Sequence, residues 1–167
     1  MSSILSTSIP DFNIKLATLE DASLIHYFIE QIAIYEKLAH EMVATISDVE
    51  TSFFGPNPKV FCYIGYYQGT PVGYAVYFFN FSTFLCKYGL YLEDLFVLPT
   101  YRGKGFGKEL LLHLTKVAVE NNCGRMEWVV LDWNTPAIEF YKSLQANPLD
   151  EWTVFRLTEA NLKALQA

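Results

Sequence analysis

The stretch EDLFVLPTYRGKGFGKELL, residues 93–111, decides how the chain is read. It opens on apolar residues suited to a strand, stops at Pro99, passes three glycines at 103, 105 and 107, and runs into a leucine-rich helix. Leu110, Leu111, Leu114, Val117 and Ala118 share one face of that helix. A strand, a glycine loop and a helix in this order can hold an anion. Glycine keeps side chains out of the anion's path and tolerates positive φ. The N–H groups of the first helical turn point outward, and the helix end adds partial positive charge. Arg102, Lys104 and Lys108 add full charges. Two common phosphate loops are excluded by spacing. GxxxxGK[ST] fails because only three residues separate Gly103 from Gly107, and Glu109 follows Lys108 where a hydroxyl is needed. GxGxxG fails because Lys108 stands at the third glycine position.

Outward from this loop, the pattern alternates between periods of two and 3.6. FNIKLA (12–17) predicts a first strand. Thr18 and Asp21 form a capping box before a helix carrying Leu24, Ile25, Phe28, Ile29 and Ile32 on one face. Ser47 and Glu50 repeat that signal for a short helix ending near Phe54, where GPNP (55–58) breaks it. KVFCYIGYY (59–67) and PVGYAVYFFNF (71–81) flank Gln68–Gly69 and predict a hairpin. LYLEDLFVL (90–98) predicts a third long strand. After the loop helix come a strand at MEWVVL (126–131), a helix opened by Thr135–Pro136, a last strand at WTVFRL (152–157) and a short final helix. The order β-α-α-β-β-β-α-β-α-β predicts a mixed sheet with helices on its faces, in the α/β or α+β class.

The bulk properties narrow the function. A chain of 167 residues suits one domain with a real core, and 51% hydrophobic residues exclude disorder. A net charge of -6 argues against nucleic-acid binding. Cys62, Cys86 and Cys123 are scattered and form no CxxC, so they predict neither a metal site nor a disulfide framework. No run approaches 18 apolar residues, so no membrane span is expected, and the start lacks a basic leader. A cytoplasmic protein is expected.

The quoted stretch closely resembles the acetyl-CoA-binding segment of the GNAT superfamily of N-acetyltransferases. LYLEDLFV and YRGKGFG, followed by WNTPAIEFYKSLQA (133–146), resemble the spermidine/spermine (diamine) N-acetyltransferase branch. The resemblance runs from about Ile14 to Leu157. It implies a single N-acetyltransferase domain over 1–167, with a GNAT-like twisted mixed sheet, splayed in the middle and flanked by helices. It implies acetyl-CoA as cofactor. The backbone of Leu95, Phe96 and Val97 would meet the pantetheine arm. Arg102, Gly103, Lys104, Gly105, Phe106, Gly107 and Lys108 would cradle the pyrophosphate. Asn134, Pro136 and Ala137 would lie along the coenzyme arm. The acceptor would be a small cationic amine, and the protein a homodimer, with no nucleic-acid or membrane partner.

Acetyl transfer to an amine needs a base, because an alkylammonium titrates near 10.4, and a proton donor for the departing thiolate. The resemblance assigns the donor to Tyr141 and the base to Glu93, acting through water. Glu93 and Asp94 are two adjacent carboxylates among apolar neighbours, costly to bury unless paired or functional. In a regular strand they face opposite ways, and only a bulge brings them together. Tyr35, Glu36, Glu93, Asp94, Glu127, Trp128 and Trp152 are the expected acceptor-binding residues. Relatives in the polyamine branch carry an acid and a tryptophan in the loop before Glu93, where this chain has Thr83, Leu85 and Lys87. That difference predicts a shorter or less charged acceptor than spermine. The rival expectations are a protein or peptide amine acceptor and a non-catalytic acyl-CoA sensor.

Overall fold

The first hairpin edge begins earlier than the sequence suggests. The computed structural model describes residues 4–166, and the chain divides into two compact units, 1–129 and 130–167. In the first unit, β1 (Ile4–Ser6) precedes β2 (Phe12–Leu16), α1 (Ala22–Tyr35), α2 (Ile46–Phe54), β3 (Phe61–Tyr67), β4 (Thr70–Ser82), β5 (Lys87–Val97), α3 (Phe106–Glu120) and β6 (Arg125–Glu127). The six strands follow sequence order across one sheet. Each neighbouring pair is antiparallel until β5 and β6, which run parallel with α3 as their crossover. The fold is a mixed α/β sheet flanked by helices. The predicted first strand is thus the second in the sheet, and β1 is an addition. Its three residues carry no clear period of their own.

Local chemistry explains the helix starts. Thr18 N–H donates to Asp21 Oδ2 at 2.8 Å just ahead of α1. The cap of α2 is Thr45 closed by Asp48, with bonds of 2.8 and 3.2 Å, rather than the expected Ser47 and Glu50. A Thr or Ser followed by an acid three residues on occurs twice within this segment, and the earlier pair meets the first free N–H groups.

Each face of the sheet has its own core. On one face Ile25 and Phe28 of α1 and Val49 of α2 pack with Cys62, Ile64, Tyr74, Val76 and Phe96. The Tyr74 ring stacks on Phe28 at 5.1 Å. On the other face Phe106 of α3 stacks on Phe12 at 4.3 Å, and Tyr63 meets His113 edge-on at 4.3 Å. Leu110 and Leu114 are fully buried there. Gly65 makes room for this layer, since a Cβ on it would come within 2.7 Å of the Phe12 ring.

The second unit holds α4 (Thr135–Ser143) and α5 (Glu159–Ala164). Two expectations fail at its borders. The strand expected over 126–131 ends at Glu127. The strand expected over 152–157 does not form, and Trp152, Val154, Phe155 and Leu157 are exposed. A β-prone pattern makes a strand only where an edge pairs with it, and no strand among the described residues does so.

Candidate active site

A single extra residue in β5 shapes the site. Along β4 and β5, Val76 pairs with Asp94 and Tyr77 pairs with Leu92, so Glu93 has no opposite number. This is a β-bulge, two residues opposing one. It resets the alternation of the strand. Tyr91 comes to share the face of Asp94 and Phe96, and its ring meets Phe78 at 4.9 Å. The regular alternation expected from sequence placed Tyr91 on the opposite face from Asp94; the bulge corrects it.

The carboxylates differ in environment. Glu93 is exposed, whereas Asp94 is partly buried and accepts a 2.6 Å hydrogen bond from the fully buried Tyr74 hydroxyl. Burial pushes Asp94 above the usual carboxylate range, and the Tyr74 bond offsets part of this. Burial, then the charge of Asp94, pushes Glu36 upward as well. The Tyr91 phenol is raised by burial, then by Glu93 and Glu127. Glu36 caps the C-terminus of α1 beside Tyr35. Bulge, helix end and sheet face therefore bring Glu36, Asp94, Glu93 and Glu127 around one stretch of β5. Such a group lowers the cost of holding an ammonium ion.

The glycine loop behaves as a backbone site. Gly103 and Gly105 both have positive φ, +75° and +86°. A Cβ on Gly103 would meet nothing within 4 Å, so that side of the loop is open. Gly105 caps α3, and Glu109 N–H bonds to its carbonyl at 3.0 Å. The N–H groups of Phe106, Gly107 and Lys108, in the first turn, lack helical acceptors by geometry. The Phe106 side chain itself is core. The charged side chains are engaged elsewhere. Arg102 lies over the Tyr35 ring at 4.3 Å and Phe96 at 5.2 Å, and its Nε donates to Val97 O at 2.9 Å. Lys104 sits over Tyr67 and Tyr101 at 5.3 and 5.5 Å. Lys108 is exposed. Arg102 thus bridges the loop to α1 and to the strand of Leu95, Phe96 and Val97. That strand pairs with β6 only as far as Tyr91, opposite Glu127. Residues 92–97 have no strand neighbour on this side among the described residues. An open glycine loop beside a strand edge with no strand neighbour among the described residues fits a coenzyme with a pyrophosphate and an amide-bearing arm.

Asn134, Pro136, Ala137, Tyr141 and Trp152 belong to the second unit and are described within it. Asn134 is buried and caps α4, accepting from Ala137 N–H at 3.4 Å, with Pro136 in the first turn. Tyr141 stands near the end of α4 with its ring 5.3 Å from Phe140. Gln145 adopts φ +66°, and Ala146 N–H bonds to Tyr141 O at 3.2 Å. In the first unit, Trp128 is half-buried just after β6.

Sequence reasoning passed over Tyr74, Asn80 and Arg125. Tyr74 partners Asp94 from the neighbouring strand, which no local pattern reveals. Asn80 Nδ2 donates to Glu127 Oε2 at 3.0 Å, and Arg125 Nε lies 2.9 Å from the same oxygen. Arg125 had a signal: two residues from Glu127 on one strand, it must share its face.

Comparison with known proteins gives this geometry a lineage. Residues 22–145 match the acetyltransferase (GNAT) family model. The chain is 34% identical to thialysine N-epsilon-acetyltransferase of Mus musculus, over 91% of this chain and 95% of that one. It is 32% identical to L-ornithine N5-acetyltransferase of Arabidopsis thaliana, over 91% and 86%. Among solved structures, an integron cassette protein from the mobile metagenome of V. cholerae superposes with a TM-score of 0.78 at 27% identity, covering 93% of this chain and 98% of that one. Sheet, glycine loop and relatives agree: the chain belongs to the acetyltransferase (GNAT) family and is an N-acetyltransferase acting on amines.

Proposed function

We propose that this is a single-domain, acetyl-CoA-dependent enzyme that acetylates a primary amine of a small cationic molecule, by direct transfer in a ternary complex. The observation that carries the reading is the Glu93–Asp94 bulge. It sets an exposed carboxylate beside a partly buried one, at the strand edge that the glycine loop adjoins. Acetyl-CoA would supply the acetyl group as a thioester whose carbonyl carbon accepts the amine and whose sulfur leaves. Gly103, Gly105 and the first-turn N–H groups of α3 would hold its phosphates, and the edge of Leu95, Phe96 and Val97 would hold its arm; the family resemblance assigns Asn134, Pro136 and Ala137 of the second unit to that arm.

The remaining steps belong to side chains. The acceptor would arrive as an ammonium ion held by Glu36, Asp94 and Glu93, with Tyr35 and Trp128 against its carbon chain; the family resemblance gives Trp152 of the second unit the same role. Glu93 takes one ammonium proton through a water molecule, which frees the nitrogen lone pair. Tyr141 would give its phenolic proton to the departing sulfur, since phenols and thiols have ordinary pKa values of the same order. Burial leaves Asp94 and Glu36 short of solvent to stabilise their charge, so a bound cation would stabilise their ionised forms more than those of water-exposed acids.

Two features extend the reading. Cys62 is buried and all three thiols are free, which suits the reducing cytoplasm. The exposed, β-prone segment 152–157 suits pairing with a second copy in a homodimer. Sedimentation of the wild type against Phe155→Ser tests the dimer. For the activity, thioester consumption is measured across spermidine, a short diamine, lysine analogues and a peptide. Turnover with one or more small amines is expected. Coenzyme binding without turnover on any of them would make the chain a non-catalytic acyl-CoA sensor.

A further inference from the structure

Beyond Val76 this face of the sheet carries the Phe78–Tyr91 ring pair and then a polar group. Asn80, Gly89, Arg125 and Glu127 occupy neighbouring positions there, Asn80 opposite Gly89 on β4 and β5, and Gly89 beside Arg125 across to β6. Glu127 Oε2 is shared by Asn80 Nδ2 at 3.0 Å and Arg125 Nε at 2.9 Å. The Arg125 N–H does not point along that line. Its Nε and the Asn80 Oδ1 are therefore two buried side-chain atoms without a hydrogen bond. Unpaired buried polar atoms are rare enough to need an explanation. The charged ends still reach solvent, with side chains 36% exposed for Arg125 and 27% for Glu127. Gly89 is what lets the group form: a Cβ there would lie 2.3 Å from Asn80 Oδ1 and 3.0 Å from Arg125 Cγ.

We infer that Asn80, Arg125 and Glu127 form a subsite for the zwitterionic head of an amino-acid acceptor, Arg125 taking its α-carboxylate and Glu127 its α-ammonium. The inference rests on the proposed acetyl transfer, and it names the acceptor as an α-amino acid with a terminal amine. Charge argues for it. A paired cation and anion offer no net attraction to a second ammonium of a polyamine, and Arg125 repels one. A zwitterion matches both members of the pair at once. Reach argues for it too. Glu127 lies beside Tyr91, two residues before Glu93. One strand spacing of about 4.8 Å and two strand steps of about 3.3 Å put Glu127 roughly 8 Å from Glu93, backbone to backbone. An extended chain of three or four methylenes carries an amine roughly 5 to 6 Å from its α-carbon, given C–C bonds of about 1.5 Å. Side chains reaching toward each other close the remainder.

The test compares L-ornithine with putrescine, which differ only in the α-carboxylate. For the wild type, kcat/KM should favour ornithine by about 10- to 100-fold, the scale of one charge-assisted contact. Arg125→Met keeps the stem and removes the charge, and it should collapse that ratio mainly through KM for ornithine. Arg125→Lys should restore part of it. Gly89→Ala, which displaces Asn80, should lower the ratio in the same direction. An equal fall for both acceptors would make Arg125 a structural residue and overturn the subsite, as would a wild-type ratio near one. Calorimetric titration of both amines into the coenzyme-bound protein separates this from the transfer reading. If no amine is acetylated, the transfer reading fails, and preferential binding of ornithine or its lack still decides the subsite.

Discussion

The glycine loop and the Glu93 bulge are separated by only a few residues, yet they are built on opposite principles. The loop works through backbone. Its geometry is written into local sequence by two glycines at positive φ and by a helix that starts immediately after them. The bulge works through side chains, and nothing local specifies it. It exists because β4 counts one residue where β5 counts two. A backbone site tolerates changes in its side chains, as the diversion of Arg102 onto Tyr35 shows. A site made by register depends on every pairing that holds the strands in place.

The sharpest way to break the contrast is Glu93→Gln. This change leaves the bulge intact and removes the proposed base, so kcat should fall about 10²- to 10⁴-fold with little change in coenzyme affinity. Steady-state kinetics and coenzyme titration read the two effects separately. Asp94→Asn should cost far less in kcat. An equal loss would mean that the two carboxylates act as one unit.

Next in size is Gly105→Val. A β-branched residue at φ +86° is strained by about 1–2 kcal/mol, and its Cβ would press to 3.1 Å from Ile9 Cδ1. The strain lowers stability, and the added side chain keeps a phosphate from the loop backbone, so coenzyme affinity should drop at least about tenfold, or about 1.4 kcal/mol, while the circular dichroism spectrum stays native. Unchanged affinity in a folded variant would remove the loop from the site.

Smaller again is the effect of pH on stability. Asp94 has a folded pKa raised by burial. Its contribution is therefore present below the ordinary carboxylate value of about 3.9 and is lost as pH rises through the folded value. Asp94→Asn removes this dependence, so its Tm should gain on the wild type by a few degrees between pH 4 and pH 7. A parallel pair of curves would show that Asp94 titrates normally.

The least effect belongs to Gln145→Gly. Gln145 pays for φ +66° without a side-chain reason, so glycine should stabilise the protein by up to about 1 kcal/mol. Chemical denaturation measures it, and no gain would mean that the Gln145 side chain makes compensating contacts.

Much of this was legible before any coordinates. Elements with a clear period, such as α1, α3, β3 and β4, lie close to where their sequences put them. The glycine loop was readable because glycine spacing is a local property. The bulge was readable only as a condition, since Glu93 and Asp94 could share a face only if one intervened. What stayed hidden depends on distant partners. Segment 152–157 has the pattern of a strand and pairs with none among the described residues, and β6 stops at Glu127, before the apolar run that follows it. Arg125 and Asn80 join Glu127 from two different strands, so only the sheet reveals them together.

The early end of the β5–β6 ladder has a consequence for how the protein ages in solution. Three rungs join the strands, and beyond them the outer side of β5 along residues 92–97 has no neighbouring strand among the described residues. Such an edge is a template for any extended chain, including an unfolded copy of the same protein. A coenzyme arm bound along it, as proposed, would occupy the template. Acetyl-CoA at 100 times its dissociation constant should raise stability by about 2.7 kcal/mol. It should also lengthen the lag before turbidity appears on warming, out of proportion to the rise in Tm. Light scattering followed at a fixed distance below each Tm would separate the two. The coenzyme would then act as a stopper as well as a reactant, and protein purified without it would be the form that precipitates.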